Sequence, residues 1–324
     1  MPMSRAVKST VVSAIALALA TCMTSCARGH KVISIQQDPG KGGNGVAQQP
    51  APYTPPVEVA ERMAGAPAGT LSAPAMFASK LYGVNFKYRV YVPAQYHKGD
   101  VAALMVFQDA TSVYLGLMNT PVVFDNLIHK GEMPMTIALF LDPGTASGEY
   151  VQAQDRGKRS DQYDTVSDKY GRFLIEEIIP QVIQKQYNVV KNPAGWAIAG
   201  QSSGGIAAFT VGWYWPDYFN KVLTQNGSFV NIKGGAAYPQ LIRDEPVKPL
   251  RVYLLSGTND LNNEFGSWLK ASTDMASALA ERDYDYRFRP GTGAHFPPLQ
   301  AQADFPNALR WLWRGYMVGT KGKR

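Results

Sequence analysis

Trp196-Ala197-Ile198-Ala199-Gly200-Gln201-Ser202-Ser203-Gly204-Gly205 is the stretch on which the fold turns. Four apolar residues run directly into Gly-x-Ser-x-Gly, and a helical pattern, Gly204–Trp213, leaves from it. Such a pentapeptide arises from composition in about one chain in ten of this length, so the bare pattern carries little weight. Its setting carries more. A buried strand that turns at once into a helix leaves Ser202 at the tip of a sharp, strained corner, its hydroxyl raised above a sheet. Glycines at 200 and 204 are expected because a Cβ at either would crowd that corner.

Working outward, short apolar runs alternate with longer helical patterns. Strand candidates are Asn85–Val92, Ala102–Phe107, Thr136–Leu141, Trp196–Ala199, Lys221–Gln225, Arg251–Leu255 and Tyr284–Arg289. Asn85–Val92 alternates, whereas most inner runs are continuously apolar, as parallel strands covered on both faces require. Helical stretches fall between them at Pro121–His129, Thr165–Lys185, Gly204–Trp213, Glu264–Glu281 and Pro306–Met317. In the second of these, Phe173, Leu174, Ile178 and Ile179 share one face. The alternation predicts one α/β domain, a mostly parallel central sheet with helices on both faces and no internal repeat.

A serine hydroxyl becomes a nucleophile when a base removes its proton and a carboxylate orients that base. On a strand–turn–helix corner of this kind the chain order is Ser, acid, His. Of the four histidines, His30, His97 and His129 precede Ser202, which leaves His295, in the loop Gly291–Phe296 after the last strand, as the base. The acid is expected just beyond Arg251–Leu255, where Asp260 is the first carboxylate and Glu264 its nearest rival. Attack creates an oxyanion that needs backbone N–H donors. Ser203 supplies one by position; the other is assigned to Ala110, with Thr111 next, in the loop after Ala102–Phe107.

Both cysteines, Cys22 and Cys26, lie near the N-terminus, so a cysteine nucleophile, a thiolate metal site and a disulfide framework in the body are excluded. Residues 1–27 read as an export signal: Arg5 and Lys8, then the apolar run Val11–Ala20, then small residues. That run is too short to span a bilayer comfortably. Met23-Thr24-Ser25-Cys26 is similar to a lipobox, which would place a lipid on Cys26 and anchor the protein in the bacterial envelope or periplasm. Ordinary cleavage around Ser25-Cys26-Ala27 is the competing reading. Residues 28–70, rich in Gly, Pro, Gln and Ala, read as a flexible linker, and 71–324 as the folded domain. Gly40–Gly45 matches GxGxxG but neither follows a strand nor opens a helix, so no dinucleotide is expected there. With 45% apolar and 18% charged residues the chain can bury a large core. A net charge of +7 without a basic patch excludes nucleic acid as a partner.

Taken together, Val106-Phe107-Gln108-Asp109, Gly200–Gly205, Ser256–Asp260, Gly293–Phe296 and Trp311–Arg314 resemble the enterochelin-esterase-like branch of the putative esterase family of α/β hydrolases, over roughly Lys80 to Arg314. Feruloyl and acetylxylan esterases, S-formylglutathione hydrolases and mycolyltransferases belong to the same wider family. The resemblance implies the α/β-hydrolase fold, Ser202 as nucleophile, Asp260 as orienting acid, His295 as base, and no metal or organic cofactor. Two departures stand out: Ala110 where relatives often have Gly after Asp, and Ala294 where they often have Gly before the histidine. Arg159–Asp164 is similar to a family stretch overhanging the serine, so Arg159 and Tyr163 either contact substrate or brace the loop. Trp213, Tyr214 and Trp215 read as packing.

The function expected is therefore an exported serine esterase acting through an acyl-enzyme on a small-molecule or glycan-linked ester. Its membrane contact would be limited to the lipid anchor, and its oligomeric state is left open. Acyl transfer with the same three residues, and a non-catalytic envelope lipoprotein that binds a glycan or partner, are the alternatives.

Overall fold

The computed structural model describes residues 45–46 and 51–316, all within one compact unit. The leader, the lipobox and Cys26 lie outside the described residues. Among the described residues a ten-stranded sheet runs through the domain. Its strands are β1 (Gly45–Val46), β2 (Thr70–Leu71), β3 (Ala75–Ser79), β4 (Val84–Val92), β5 (Ala103–Gln108), β6 (Thr136–Leu141), β7 (Trp196–Gln201), β8 (Lys221–Gln225), β9 (Arg251–Asn259) and β12 (Asp285–Ala294). A small hairpin, β10 (Asn262–Asn263) with β11 (Gly266–Ser267), stands apart. The order is β1-β12-β9-β8-β7-β5-β6-β4-β2, with β3 also paired to β4.

From β12 across to β6 all neighbours are parallel, while β4 joins β6 antiparallel. The continuous apolar runs are buried on both faces, as their composition predicts. Leu104 and Val106 of β5 face one core with Ile198 and Val222; Met105 and Phe107 face the other with Ala199 and Leu223. The helices Phe173–Gln184, Ser203–Tyr214 and Trp268–Glu281 cover the first face, and Thr120–His129 and Leu299–Trp313 the second. Phe173, Leu174, Ile178 and Ile179 are buried together, as their spacing requires.

Strand order places the site. From β5 the chain steps to β6 on one side, then crosses back to β7 on the other and continues outward to β8, β9 and β12. The connections leaving β5 and β7 therefore diverge, and a crevice opens at the carboxyl ends of these two neighbours. Ser202 lies one residue beyond β7, and Asp109 one residue beyond β5.

The N-terminal boundary needs correction. From residue 51 the stretch read as a linker is part of the domain. Val59, in the short helix Val57–Ala60, is buried. Asn126 accepts from the Met63 amide at 2.8 Å and donates to the carbonyls of Glu58 and Glu61 at 3.0 and 2.9 Å. Buried Asp125 accepts from Arg62 Nε at 2.9 Å, the Gly69 amide at 2.8 Å and the Tyr91 hydroxyl at 2.6 Å. Glu58 pairs with Lys130 and Arg310. Docking runs through polar partners far along the chain, which is why no apolar periodicity announces it. β1 further caps the exposed edge of β12. Helices at Ala110–Leu117, Gln152–Tyr163 and Tyr238–Asp244 add to those read from the sequence.

Candidate active site

The corner at Ser202 is as sharp as its sequence implies. Ser202 has φ 60° and ψ −125°, a conformation that costs a non-glycine residue of order 1–3 kcal/mol. The corner is braced from β8 and beyond: the Ser202 amide donates to Gln225 O at 3.0 Å, and Ser202 O accepts from the Ser228 amide at 3.1 Å. A Cβ on Gly200 would lie 1.9 Å from Gly204 O, a backbone clash that nothing can relieve locally. The reason for Gly204 differs from the one expected. Its Cβ would meet Asp109 Oδ2 at 2.9 Å and Gln108 Cβ at 3.1 Å, so the space it leaves is occupied by the end of β5.

Ser202, His295 and Asp260 come together, from three different strand ends. Ser202 Oγ is 2.9 Å from His295 Nε2, and His295 Nδ1 is 2.6 Å from Asp260 Oδ1. With the proton on Nδ1, the imidazole donates to the carboxylate and offers Nε2 as acceptor to the serine hydroxyl. β12 extends to Ala294, so His295 follows a strand instead of sitting in a free loop. The Gln201 side chain donates from Nε2 to His295 O at 3.0 Å, and the Trp268 ring stands edge-on to the imidazole at 5.8 Å. Glu264 is exposed in the turn of the β10–β11 hairpin, and the helix predicted to begin there starts at Trp268.

The Asp260 carboxylate is buried, which by itself would raise its pKa. Hydrogen bonding and charge from His295, with hydrogen bonds from Ser256 and Asn226, outweigh burial and hold it below the usual carboxylate value. Asn226 Nδ2 donates to Oδ2 at 2.6 Å, Ser256 Oγ to the same oxygen at 2.7 Å, and the Leu261 amide to Oδ1 at 2.8 Å. Asn226 and Ser256 escaped the sequence reading. Asn226 directly follows β8, in the left-handed region with φ 51°, which Asn tolerates better than most residues. Its position directly after an apolar strand was the available signal.

On the opposite side of Ser202, the Thr111 amide donates to Asp142 Oδ1 at 2.9 Å and is thereby committed. Among the described residues no protein acceptor takes the amide N–H of Ala110 or of Ser203, each the first residue of a helix. The positive φ of this loop, 52°, falls on Asp109. Ala110 itself is free of it, so alanine fits where relatives often have glycine.

A cleft of about 520 Å³ holds Ser202, Ser203 and His295, with Trp268, Phe265, Phe296, Tyr150, Arg156 and Arg159 on its walls. Arg159 is paired with Asp109, Nε to Oδ1 at 2.8 Å and Nη2 to Oδ2 at 2.5 Å. Tyr163 is not a wall residue: only 1% exposed, it lies beneath Arg159 with its ring 5.5 Å from the guanidinium, so of the two roles left open for it, bracing the loop is the one its burial fits. Trp213 is buried against Phe209, and the Trp215 indole donates to Asp168 O at 3.1 Å, both as packing residues. A second hollow of about 340 Å³ opens at the far, amino-terminal ends of β8 and β9, away from Ser202. No group of three His, Cys, Asp or Glu among the described residues could hold a metal ion, and no described helix is long and apolar enough to cross a membrane.

Known proteins resemble this chain at the level of fold and family. A ferulic acid esterase structure superposes with a TM-score of 0.62 at 17% identity, covering 77% of this chain and 100% of that one. The enterobactin esterase of Shigella flexneri, solved with 2,3-dihydroxy-N-benzoyl-serine, gives 0.64 at 20% identity over 82% of this chain, which spans 63% of that protein. These matches show the α/β-hydrolase fold. In sequence, 54 residues are 41% identical to the iron(III) enterobactin esterase of Dickeya dadantii, which is 12% of that protein's length. The uncharacterized protein YbbA of Bacillus subtilis is 21% identical over 243 residues, 71% of this chain and 93% of that one. The sequence signature of the "Putative esterase" family matches residues 79–310, and the chain belongs to that family.

Proposed function

We propose that this protein is a serine hydrolase of carboxylic esters. The observation that carries the reading is the unbroken chain Ser202–His295–Asp260, linked at 2.9 and 2.6 Å and open to the cleft at its serine end. Ser202 Oγ attacks the ester carbonyl while His295 Nε2 takes its proton. The carbonyl oxygen gains charge and is received by the amides of Ala110 and Ser203, each such donor worth about 3–4 kcal/mol in the transition state. His295 returns the proton to the departing alkoxide, leaving an acyl group on Ser202. Water then enters, His295 activates it, and the acid leaves with the enzyme restored. Throughout, ionised Asp260 holds the imidazole in one tautomer and stabilises the imidazolium.

For the substrate we infer a small ester with an aromatic acid part. The cleft presents Trp268, Phe265 and Phe296, the last 75% exposed at the mouth, and flat apolar groups stack well on such rings. Relatives of the same fold are esterases of ferulic acid and of enterobactin by name. Export and a lipid on Cys26 belong to the same proposal, supported by the charged start, apolar run and lipobox-like residues of the leader.

The test is turnover of p-nitrophenyl acetate and butyrate and of methyl ferulate by the protein and by Ser202→Ala. Loss of turnover in the variant, with faster cleavage of the aromatic ester, is the expected result. Absence of turnover together with absence of Ser202 labelling by a fluorophosphonate overturns the hydrolase reading.

A further inference from the structure

The stretch Arg159–Asp164 contributes no atom to the steps above, yet it is built into the end of β5. Arg159 meets Asp109 with two parallel bonds, at 2.8 and 2.5 Å, and both groups are largely buried. Four residues on, Tyr163 lies edge-on to Tyr170 at 5.2 Å, and the Tyr170 hydroxyl donates to the Gln108 side chain. The two residues preceding Ala110 are thus gripped from one region. Asp109 is left-handed, φ 52° and ψ 43°, an unfavourable state for a residue with a Cβ. Its carboxylate also fills the space left by the missing side chain of Gly204, the residue after Ser203, so Asp109 directly precedes one donor and lies against the helix start that carries the other. The helix Gln152–Tyr163 that carries Arg159 packs on the helix Ser203–Tyr214.

We propose that Arg159 is a positioning residue for ester cleavage: through its two-pronged bond to Asp109 it holds the left-handed turn that presents the Ala110 amide to the carbonyl oxygen. This rests on the serine-hydrolase reading and deepens it. A guanidinium suits the task because its planar fork matches both carboxylate oxygens at once, fixing the rotation of Asp109 as well as its place. Lysine, a point charge, cannot fix that rotation. With Nε and Nη2 both committed to Asp109, Arg159 serves the protein before it serves any ligand.

The experiment compares Arg159→Ala, Arg159→Lys, Asp109→Asn and the Arg159→Ala/Asp109→Asn double variant with the parent. Kinetics with p-nitrophenyl acetate, the rate of Ser202 labelling by a fluorophosphonate, and Tm are measured for each. Expected are a fall in kcat of roughly 100-fold for Arg159→Ala and roughly 10-fold for Arg159→Lys, at nearly unchanged KM, with labelling slowed in parallel. The double variant should be no slower than the worse single, since the two residues act as one. Should Arg159→Ala fail to fold, Arg159→Lys and Asp109→Asn decide the matter by the same kcat criterion. A lowered Tm with kcat within twofold of the parent makes Arg159 a structural brace, and a raised KM at constant kcat makes it a substrate contact; either overturns the proposal. A parent that is neither labelled nor active overturns the hydrolase reading itself, a result distinct from a parent that is labelled while Arg159→Ala is labelled as fast.

Discussion

Ala294 is paired in register with Asn259, the last residues of their strands, and His295 and Asp260 directly follow them. The ladder between β9 and β12 becomes irregular between Gly291 and Ala294, then closes at this last pair. Asn259 Nδ2 donates to Thr292 O at 2.7 Å across the irregularity. His295 and Asp260 are therefore aligned by sheet hydrogen bonds before their own side chains meet at 2.6 Å. A site carried on strand ends keeps its geometry better than one carried on free loops.

The carboxylate of Asp260 depends on neighbours beyond His295. Asn226→Ala and Ser256→Ala each remove a donor to Oδ2, at 2.6 and 2.7 Å. Each is expected to lower kcat about 10-fold at unchanged KM, whereas Asp260→Asn, which reverses the tautomer, should cost about 10⁴-fold. Steady-state kinetics on one chromogenic ester gives the order. Equal activity in parent and Asn226→Ala would show that the Ser256 and Leu261 bonds suffice.

The segment from 51 to 70 is expected to count in stability. A chain shortened to begin at Leu71 uncovers the surface under Val59 and removes both the Arg62 guanidinium and the Gly69 amide from buried Asp125. Leaving a buried carboxylate without its cation costs about 3 kcal/mol or more. Urea unfolding of chains beginning at Gly45 and at Leu71 measures it, and overlapping curves would show that the segment only rests on the domain.

Lys221 should impose a pH dependence. Its amine donates to Ala194 O and lies 5.4 and 4.9 Å from the ring centres of Trp313 and Tyr316. Burial, reinforced by Arg251 and Arg314 and opposed by Asp285, pushes it down to about 7 from 10.5. Between these values the unfolded chain holds a proton that the folded one lacks, so this group's contribution to stability rises with pH and falls away as pH drops toward 7. From pH 7.5 to 9.5 the parent should gain about 1 kcal/mol per pH unit relative to Lys221→Met, read from urea midpoints. Parallel curves would mean that Lys221 stays charged in the fold.

Much of this was legible in the chain because the signals are local. The run Trp196–Ala199, the glycines around Ser202 and the alternation of apolar runs with helical patterns are short-range features, and they determined the α/β architecture and the sharp corner at Ser202. Counting residues did the rest for His295, the one histidine beyond Ser202. Other questions turned on partners far apart in sequence, where periodicity is silent. Asp260 and Glu264 are both plausible acids on paper; the register of β9 with β12 brings the first to the imidazole, and the β10–β11 hairpin carries the second into solvent. Ala110 and Thr111 both follow the same strand, and Asp142, 31 residues away from Thr111, takes up that residue's amide. Arg159 could contact substrate or brace its loop on paper; its fork lies on Asp109, 50 residues earlier, a partner that spacing does not reveal. The sequence alone determined which side chains could do chemistry; tertiary structure alone decided which of them are already committed to one another, because a hydrogen bond depends on distance in space and not along the chain.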